Sequence, residues 1–318
     1  MVAPDRDKLR RAFRVPAPRA AEASVLDDRA RTLPSAASTA PPSPSLPTEV
    51  SIAATPSAAR PGTMREFLLR RQLQFAEPPR PVVALPPADE LTTAHGVMWR
   101  RELRYPLAHR HGNVAFARVQ SLDGPKLATL GKHDAFATLC AEQCLFLDTE
   151  TTGLSGGAGT VVFAYGLGFL RGDELVVEQL FLRDFGEEPA MLHHVAARLA
   201  EFPVPVTFVG KSYDRHRIAA RLAVHKVKAP VLTDVHLDLF HLVRRQYAKL
   251  WPDTRLRTAE QRLLGLHRHD DLPGSEAPAA FLQWVRDRTG PVDRVLEHNR
   301  LDVLSLVALL GVLGGRPA

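Results

Sequence analysis

From residue 141 onward, short apolar runs, tight links and amphipathic stretches follow one another in an order that few folds can accommodate. "CLFLDTE", "TVVFAYGLGFL" and "ELVVEQLFLR" each read as a buried strand, and the links between them, "TGLSGGAG" and "RGD", are short and turn-like. Strands joined so tightly pair side by side in opposite directions, so the three predict an antiparallel meander. "EPAMLHHVAARLAEF" then has helical spacing, "PVTFVG" is a buried strand, "SYDRHRIAARLAV" is a second helix, and "VLTDVHLDL" adds a last strand or extended segment. Four helical stretches follow: "LFHLVRRQYAKL", "TAEQRLLGL", "APAAFLQWVRDR" and the long "VDRVLEHNRLDVLSLVALLGVL". Three antiparallel strands followed by strands alternating with helices predict an α/β fold, a mixed sheet flanked by helices.

The chain ahead of this block reads differently. Residues 1–62 are rich in Ala, Pro, Ser and Thr, as in "PSAASTAPPSPSLPTEV", and bury too little apolar surface to offset chain entropy; a disordered tail is expected. Residues 63–140 predict a short helix and a small accessory region. Thr63 and Glu66 match a capping box ahead of "TMREFLLRRQLQF", "NVAFARV" is the best strand candidate, and "HDAFATLC" reads as a helix. This piece is too small to fold alone and is expected to pack on the domain at 141–313.

Charge and cysteine usage narrow the possibilities further. A formal charge of +6 suits a polyanionic partner, and equally a plain solvated surface. Lys8, Arg10, Arg11, Arg14 and Arg19 load the first twenty residues with positive charge. The two cysteines, Cys140 and Cys144, exclude a disulfide framework and read as small apolar residues. "MVAPDRDKLRRAFRVPAPRA" lacks the apolar stretch of a signal peptide, and no later run is long enough to span a bilayer, so a cytoplasmic protein with no membrane partner is expected.

The chemistry concentrates in "LFLDTETTGL". Side chains two apart on a strand share a face, so Asp148 and Glu150 stand side by side at the end of an apolar run. Two such anions repel. Either something positive sits between them or the pair lies at an exposed strand end.

"DTETTGL" resembles the first motif of the DEDD 3′–5′ exonuclease superfamily. "RYPLAHRHG", "LFLDTETTGLSGGAGT", "FVGKSYD", "HLDLFHLVRR", "RLLGLHRHDDLPG" and "HNRLDVLSL" resemble the YprB-type ribonuclease H-like family within it, from about residue 100 to 313. The resemblance implies a ribonuclease H-like sheet and four metal-binding carboxylates: Asp148 and Glu150 from the first motif, Asp214 in "GKSYD" and Asp302 in "HNRLD". Four crowded anions need cations between them, and all-oxygen ligands favour two Mg²⁺ or Mn²⁺ ions. The superfamily places a general base near the last acid, a Tyr four residues before it or a His five before it; here His298 stands at the tyrosine spacing. It reads as the base or as a donor to a carboxylate. Asn299 is a candidate substrate contact. Val209 stands where the superfamily commonly has Asn, which puts the grip on substrate in question.

Other residues are weaker candidates. Asp238 can support the metal centre or cap the next helix, and Asp234 alternates with it on the same segment. "GLSGGAG" lacks the Lys that follows in a phosphate-cradling loop. His193, His194, His267 and His269 read as surface histidines, and the H-x-H of "YPLAHRHG" lacks a third ligand nearby. Lys211, Arg215, Arg217, Arg221, Arg244 and Arg245 could meet phosphates or form plain solvated faces, and Tyr213 could stack on a base or pack on the sheet. The expectation is a divalent-metal-dependent nuclease, a 3′–5′ exonuclease on single-stranded DNA or RNA. The alternatives are a nucleic-acid-binding module with decayed catalysis and a structure-selective endonuclease.

Overall fold

The structure is a computed structural model and describes residues 81–153, 159–230 and 235–315. The expected tail over 1–62, the helix expected after Thr63, most of the glycine-rich link and Asp234 lie outside the described residues.

A hairpin of β1 (Asp89–Thr93) and β2 (Gly96–Pro106) comes first, then a small ladder of β3 (Arg110–His111) and β4 (Val114–Ala115). Helix α1 spans Gly124–Gly131. The meander is β5 (Cys144–Thr151), β6 (Val162–Arg171) and β7 (Glu174–Phe181), followed by α2 (Glu188–Glu201), β8 (Val204–Thr207), α3 (Asp214–Val224), β9 (Leu237–Asp238) and α4 (Leu239–Tyr247). A single turn, α5 (Leu256–Ala259), runs into a π-turn over Glu260–Leu264, and α6 (Ala277–Asp287) and α7 (Val292–Gly314) complete the order. The seven-stranded sheet runs β1-β2-β7-β6-β5-β8-β9. The strands of the meander are antiparallel, whereas β8 runs parallel to β5 and β9 parallel to β8. This is the mixed, helix-flanked α/β sheet of the ribonuclease H-like fold that the order of strands and helices predicts.

Residues ahead of the meander depart from expectation. Strand β2 is an eleven-residue partner of β7, where no strand was expected. Its charged residues are what hide it: Arg100 pairs with Asp89 and Glu178, and Arg104 with Glu174, so ion pairs across neighbouring strands read in sequence as a solvated stretch. In "NVAFARV" only Val114 and Ala115 are extended. The chain then winds into a 3-10 turn over Phe116–Ser121 that buries Phe116 and Val119. "HDAFATLC" forms a 3-10 turn over Asp134–Thr138, and the true helix is α1, capped at its start by Asp123, which accepts from the Lys126 amide.

The pleat of β5 sends Leu145 and Leu147 into the core shared with α2 and α6, and Cys144 and Phe146 into the core shared with α4 and α7. Asp148 and Glu150 continue the second row, toward α7. Two glycines let that helix come close. A Cβ on Gly166 would stand 2.6 Å from Asn299 Oδ1 and from Val303 Cγ2, and one on Gly168 would stand 2.7 Å from Val303 Cγ1. Gly166 is the register partner of Asp148, so the gap in β6 faces the acid itself.

Candidate metal centre

Asp148 and Glu150 stand at the C-terminal end of β5, where the ladder to β6 bulges between Glu150 and Thr151, and Asp214 and Asp302 lie near enough to act on Asp148 electrostatically. Asp148 is gripped from α7: Asn299 Nδ2 donates to Asp148 Oδ2 at 2.8 Å. Asn299 is fully buried, and its Oδ1 accepts from Gln179 Nε2 at 3.2 Å while Gln179 also donates to the Leu296 carbonyl. The sequence reading of Asn299 as a substrate contact is therefore corrected. Sealed from solvent, it orients Asp148.

Asp214 is the first residue of α3 and is buried, accepting from Thr149 Oγ1 of β5. Asp302 lies on α7 with its Oδ1 2.6 Å from Arg268 Nη1 and its Oδ2 3.7 Å from His298 Nε2. His298 Nδ1 is in turn 2.8 Å from Asp271 Oδ1, and Arg268 also pairs with Asp271 and Glu260. Arg268, Asp302, His298 and Asp271 thus close a ring of alternating charge potential, anchored below by Glu260, which accepts from Ser305.

The acids act on one another. Burial pushes the Asp148 carboxyl well above the ordinary range, and Asp302, Glu150 and Asp214 push it further. Glu150 is raised by burial and then by Asp302, Asp214 and Asp271. Asp214 rises to about 6, chiefly through burial and against the hydrogen bond from Thr149. One end of the sheet therefore concentrates negative charge that the surrounding protein leaves under-neutralised.

As the side chains lie, no three His, Cys, Asp or Glu among the described residues are gathered tightly enough to hold an ion. Partners hold several of them instead: Asn299 on Asp148, Thr149 on Asp214, Arg268 on Asp302. The donor chemistry nevertheless fits a hard divalent cation. Every donor is a carboxylate oxygen, and Glu150 is buried with no hydrogen-bonded partner among the described residues.

The loop that delivers Asp214 is strained. Val209 has φ 67°, a left-handed conformation unfavourable for a β-branched residue. Asp238 pins it, accepting from the amides of Val209, Lys211 and Phe240, and so caps α4 and braces the loop with one carboxylate. Tyr213 bonds through its hydroxyl to Thr151 and the Gly153 carbonyl, and Arg217 stacks 3.4 Å over its ring.

Among the basic candidates, Arg221 is removed from any phosphate: it is buried and paired with Glu188. Arg245 is exposed and donates to the Leu130 carbonyl, while Arg244 is exposed on α4. Of the histidines, His267 and His269 are exposed as expected, but His194 is half-buried and 2.8 Å from the buried Glu178. His111 of the H-x-H pair is buried against Ser305. Both cysteines are free, Cys144 fully buried and Cys140 partly so. No helix among the described residues is long and apolar enough to cross a membrane.

Arg268, Asp271, Glu260 and Gln179 are the site residues that sequence reasoning missed. The first two lie in "RLLGLHRHDDLPG", a stretch that carries the family resemblance, so the signal was present without a motif to give it a role.

A family model for the RNase_H superfamily matches residues 145–313, more than half of the chain, and the chain belongs to that superfamily. Within it, the relationship is to the YprB type. The chain is 33% identical over 217 residues to the uncharacterized protein YprB of Bacillus subtilis (strain 168), a match covering 66% of this chain and 51% of that protein. The chain thus spans about half the length of the curated relative it matches. Among solved structures, the family B DNA polymerase of the hyperthermophilic archaeon Pyrobaculum calidifontis is similar over 54% of this chain and 27% of its own, with 16% identity and a TM-score of 0.35.

Proposed function

We propose that this chain is a divalent-metal-dependent nuclease that hydrolyses phosphodiester bonds, acting as a 3′–5′ exonuclease on single strands of DNA or RNA by a two-metal mechanism. The observation that carries the reading is the group of buried carboxyls at one end of β5: Asp148, Glu150 and Asp214 are all raised by burial, and Asp302 raises the first two further. Asp148, Glu150 and Asp302 would hold one Mg²⁺ or Mn²⁺, and Asp148 with Asp214 the other. When bound, such ions supply Lewis acidity and a more acidic water at phosphorus.

The chain's own residues complete the arrangement. Asn299 fixes the rotamer of Asp148, and Arg268 holds one oxygen of Asp302 so that the other is turned toward His298. Asp271 accepts from His298 Nδ1, which leaves Nε2 as the basic nitrogen, aimed at the acids and able to take a proton from water. Superfamily membership and the relationship to YprB support the assignment.

Digestion of end-labelled single-stranded DNA, double-stranded DNA and RNA with Mg²⁺ or Mn²⁺ tests it. Mononucleotide products identify an exonuclease and longer fragments an endonuclease. Asp148→Ala should abolish hydrolysis with the circular dichroism unchanged; undiminished turnover in that variant would overturn the assignment. The ion pair between Arg268 and Asp302 favours a second reading, nucleic-acid binding without turnover. Oligonucleotide binding by a parent protein that hydrolyses none of the three substrates selects it.

A further inference from the structure

A cavity of about 300 Å³ is lined in part by Asp302 and His298. Two further arginines line it as well. Arg255 and Arg257 flank Leu256 at the start of α5, both are exposed, and neither is paired with a carboxylate among the described residues. Arg268, which lines the same cavity, is by contrast committed to Glu260, Asp271 and Asp302. Leu256, Leu272 and Pro273 supply the apolar part of the lining. Gly274 completes it, and a Cβ there would stand 3.7 Å from His298 Nε2, so the bare backbone keeps the approach to the imidazole open.

A space of this size holds one small ligand. The three kinds of lining match one chemical class: a phosphate for the two guanidiniums, a sugar and base for the apolar residues, and a phosphodiester bond on the side of Asp302. We propose that this cavity is a nucleotide subsite, holding one nucleotide unit of the substrate strand with its phosphate on Arg255 and Arg257. The assignment rests on the nuclease reading and deepens it. It gives the strand a fixed seat on the α5 side of the centre, and it adds a cationic contact to the phosphate backbone.

The test uses the full chain carrying Asp148→Asn, which binds without consuming its ligand. Fluorescein-labelled oligo-dT is titrated by anisotropy in Mg²⁺ between about 50 and 200 mM salt. Adding Arg255→Gln and Arg257→Gln should weaken binding about tenfold, and should flatten the log–log salt dependence by about 1.4, roughly 0.7 for each lost phosphate contact to a single strand. Thymidine 5′-monophosphate should displace the oligonucleotide from the parent at concentrations where thymidine does not. Arg286→Gln, on an exposed residue paired with Asp287 on α6, should leave binding unchanged. In the otherwise native chain the double substitution should raise KM with kcat nearly constant. Equal affinity and equal salt slope in the parent and the double variant would overturn the subsite while leaving the nuclease reading intact. A parent that binds no oligonucleotide at all would overturn both.

Discussion

Replacing Asp214 with Asn should stabilise the metal-free protein near pH 7.5 and leave it unchanged near pH 4. The carboxyl rises from its ordinary 3.8 to about 6, mainly because α3 buries it. Between those values the folded protein holds a proton that the unfolded chain has released, so stability falls as pH rises through the window. Above pH 6 the full penalty is present. At 1.36 kcal/mol per tenfold change in proton affinity it comes to about 3 kcal/mol. Asparagine removes the charge but keeps an oxygen for the Thr149 hydroxyl. Local relaxation in the parent recovers part of the penalty, so a gain of about 1–3 kcal/mol is expected, worth about 2–4 °C in Tm per kcal/mol for a chain of this size. Thermal melts in EDTA at the two pH values measure it. A variant that melts at or below the parent at pH 7.5, or gains as much near pH 4, would refute the account of burial. Saturating Mg²⁺ should narrow or invert the difference, because an ion stabilises only the protein that binds it.

Two further substitutions probe the frame around the acids. Val209→Asn should raise stability by about 1 kcal/mol in urea titration, since the left-handed backbone at φ 67° penalises a β-branched side chain and Asn tolerates it; no gain would mean that the loop carries no strain. Arg268→Gln should cost about 3–5 kcal/mol by leaving the buried Glu260 and the half-buried Asp302 without their cation. Arg268→Lys should recover only part of this, because one ammonium cannot fork between the carboxylates; full recovery would show that charge alone suffices.

Much of this architecture is legible in the sequence, for reasons that differ by element. The meander is readable because β5, β6 and β7 are buried on both faces and therefore almost continuously apolar, with turn residues between them. Helix α7 is readable because its second half is wholly buried and, Ser305 apart, free of polar side chains. Strand β2 is not, because its charged residues pair with charges on neighbouring strands, as far as seventy-eight positions away, and so hide the extended run. The acids of the centre stand in recognisable motifs, and Asp148 with Glu150 is suspect on strand geometry alone. Asn299 is misread because its burial depends on glycines in β6, a fact about a neighbouring element that no local pattern in "HNRLD" contains. Arg268 and Asp271 sit in irregular backbone before α6, where no periodicity assigns a direction to a side chain.

The placement of Asp302 on the final helix has a bearing on biosynthesis. Ribosomes make Asp148 and Glu150 more than a hundred and fifty residues before that last acid, and α7 must then thread its apolar half between the sheet and α4 for Asp302 to reach them. A nascent fragment that stops short of α7 therefore possesses the first acids but no closed centre. Any chemistry that needs all four acids would therefore wait on the folding of α7.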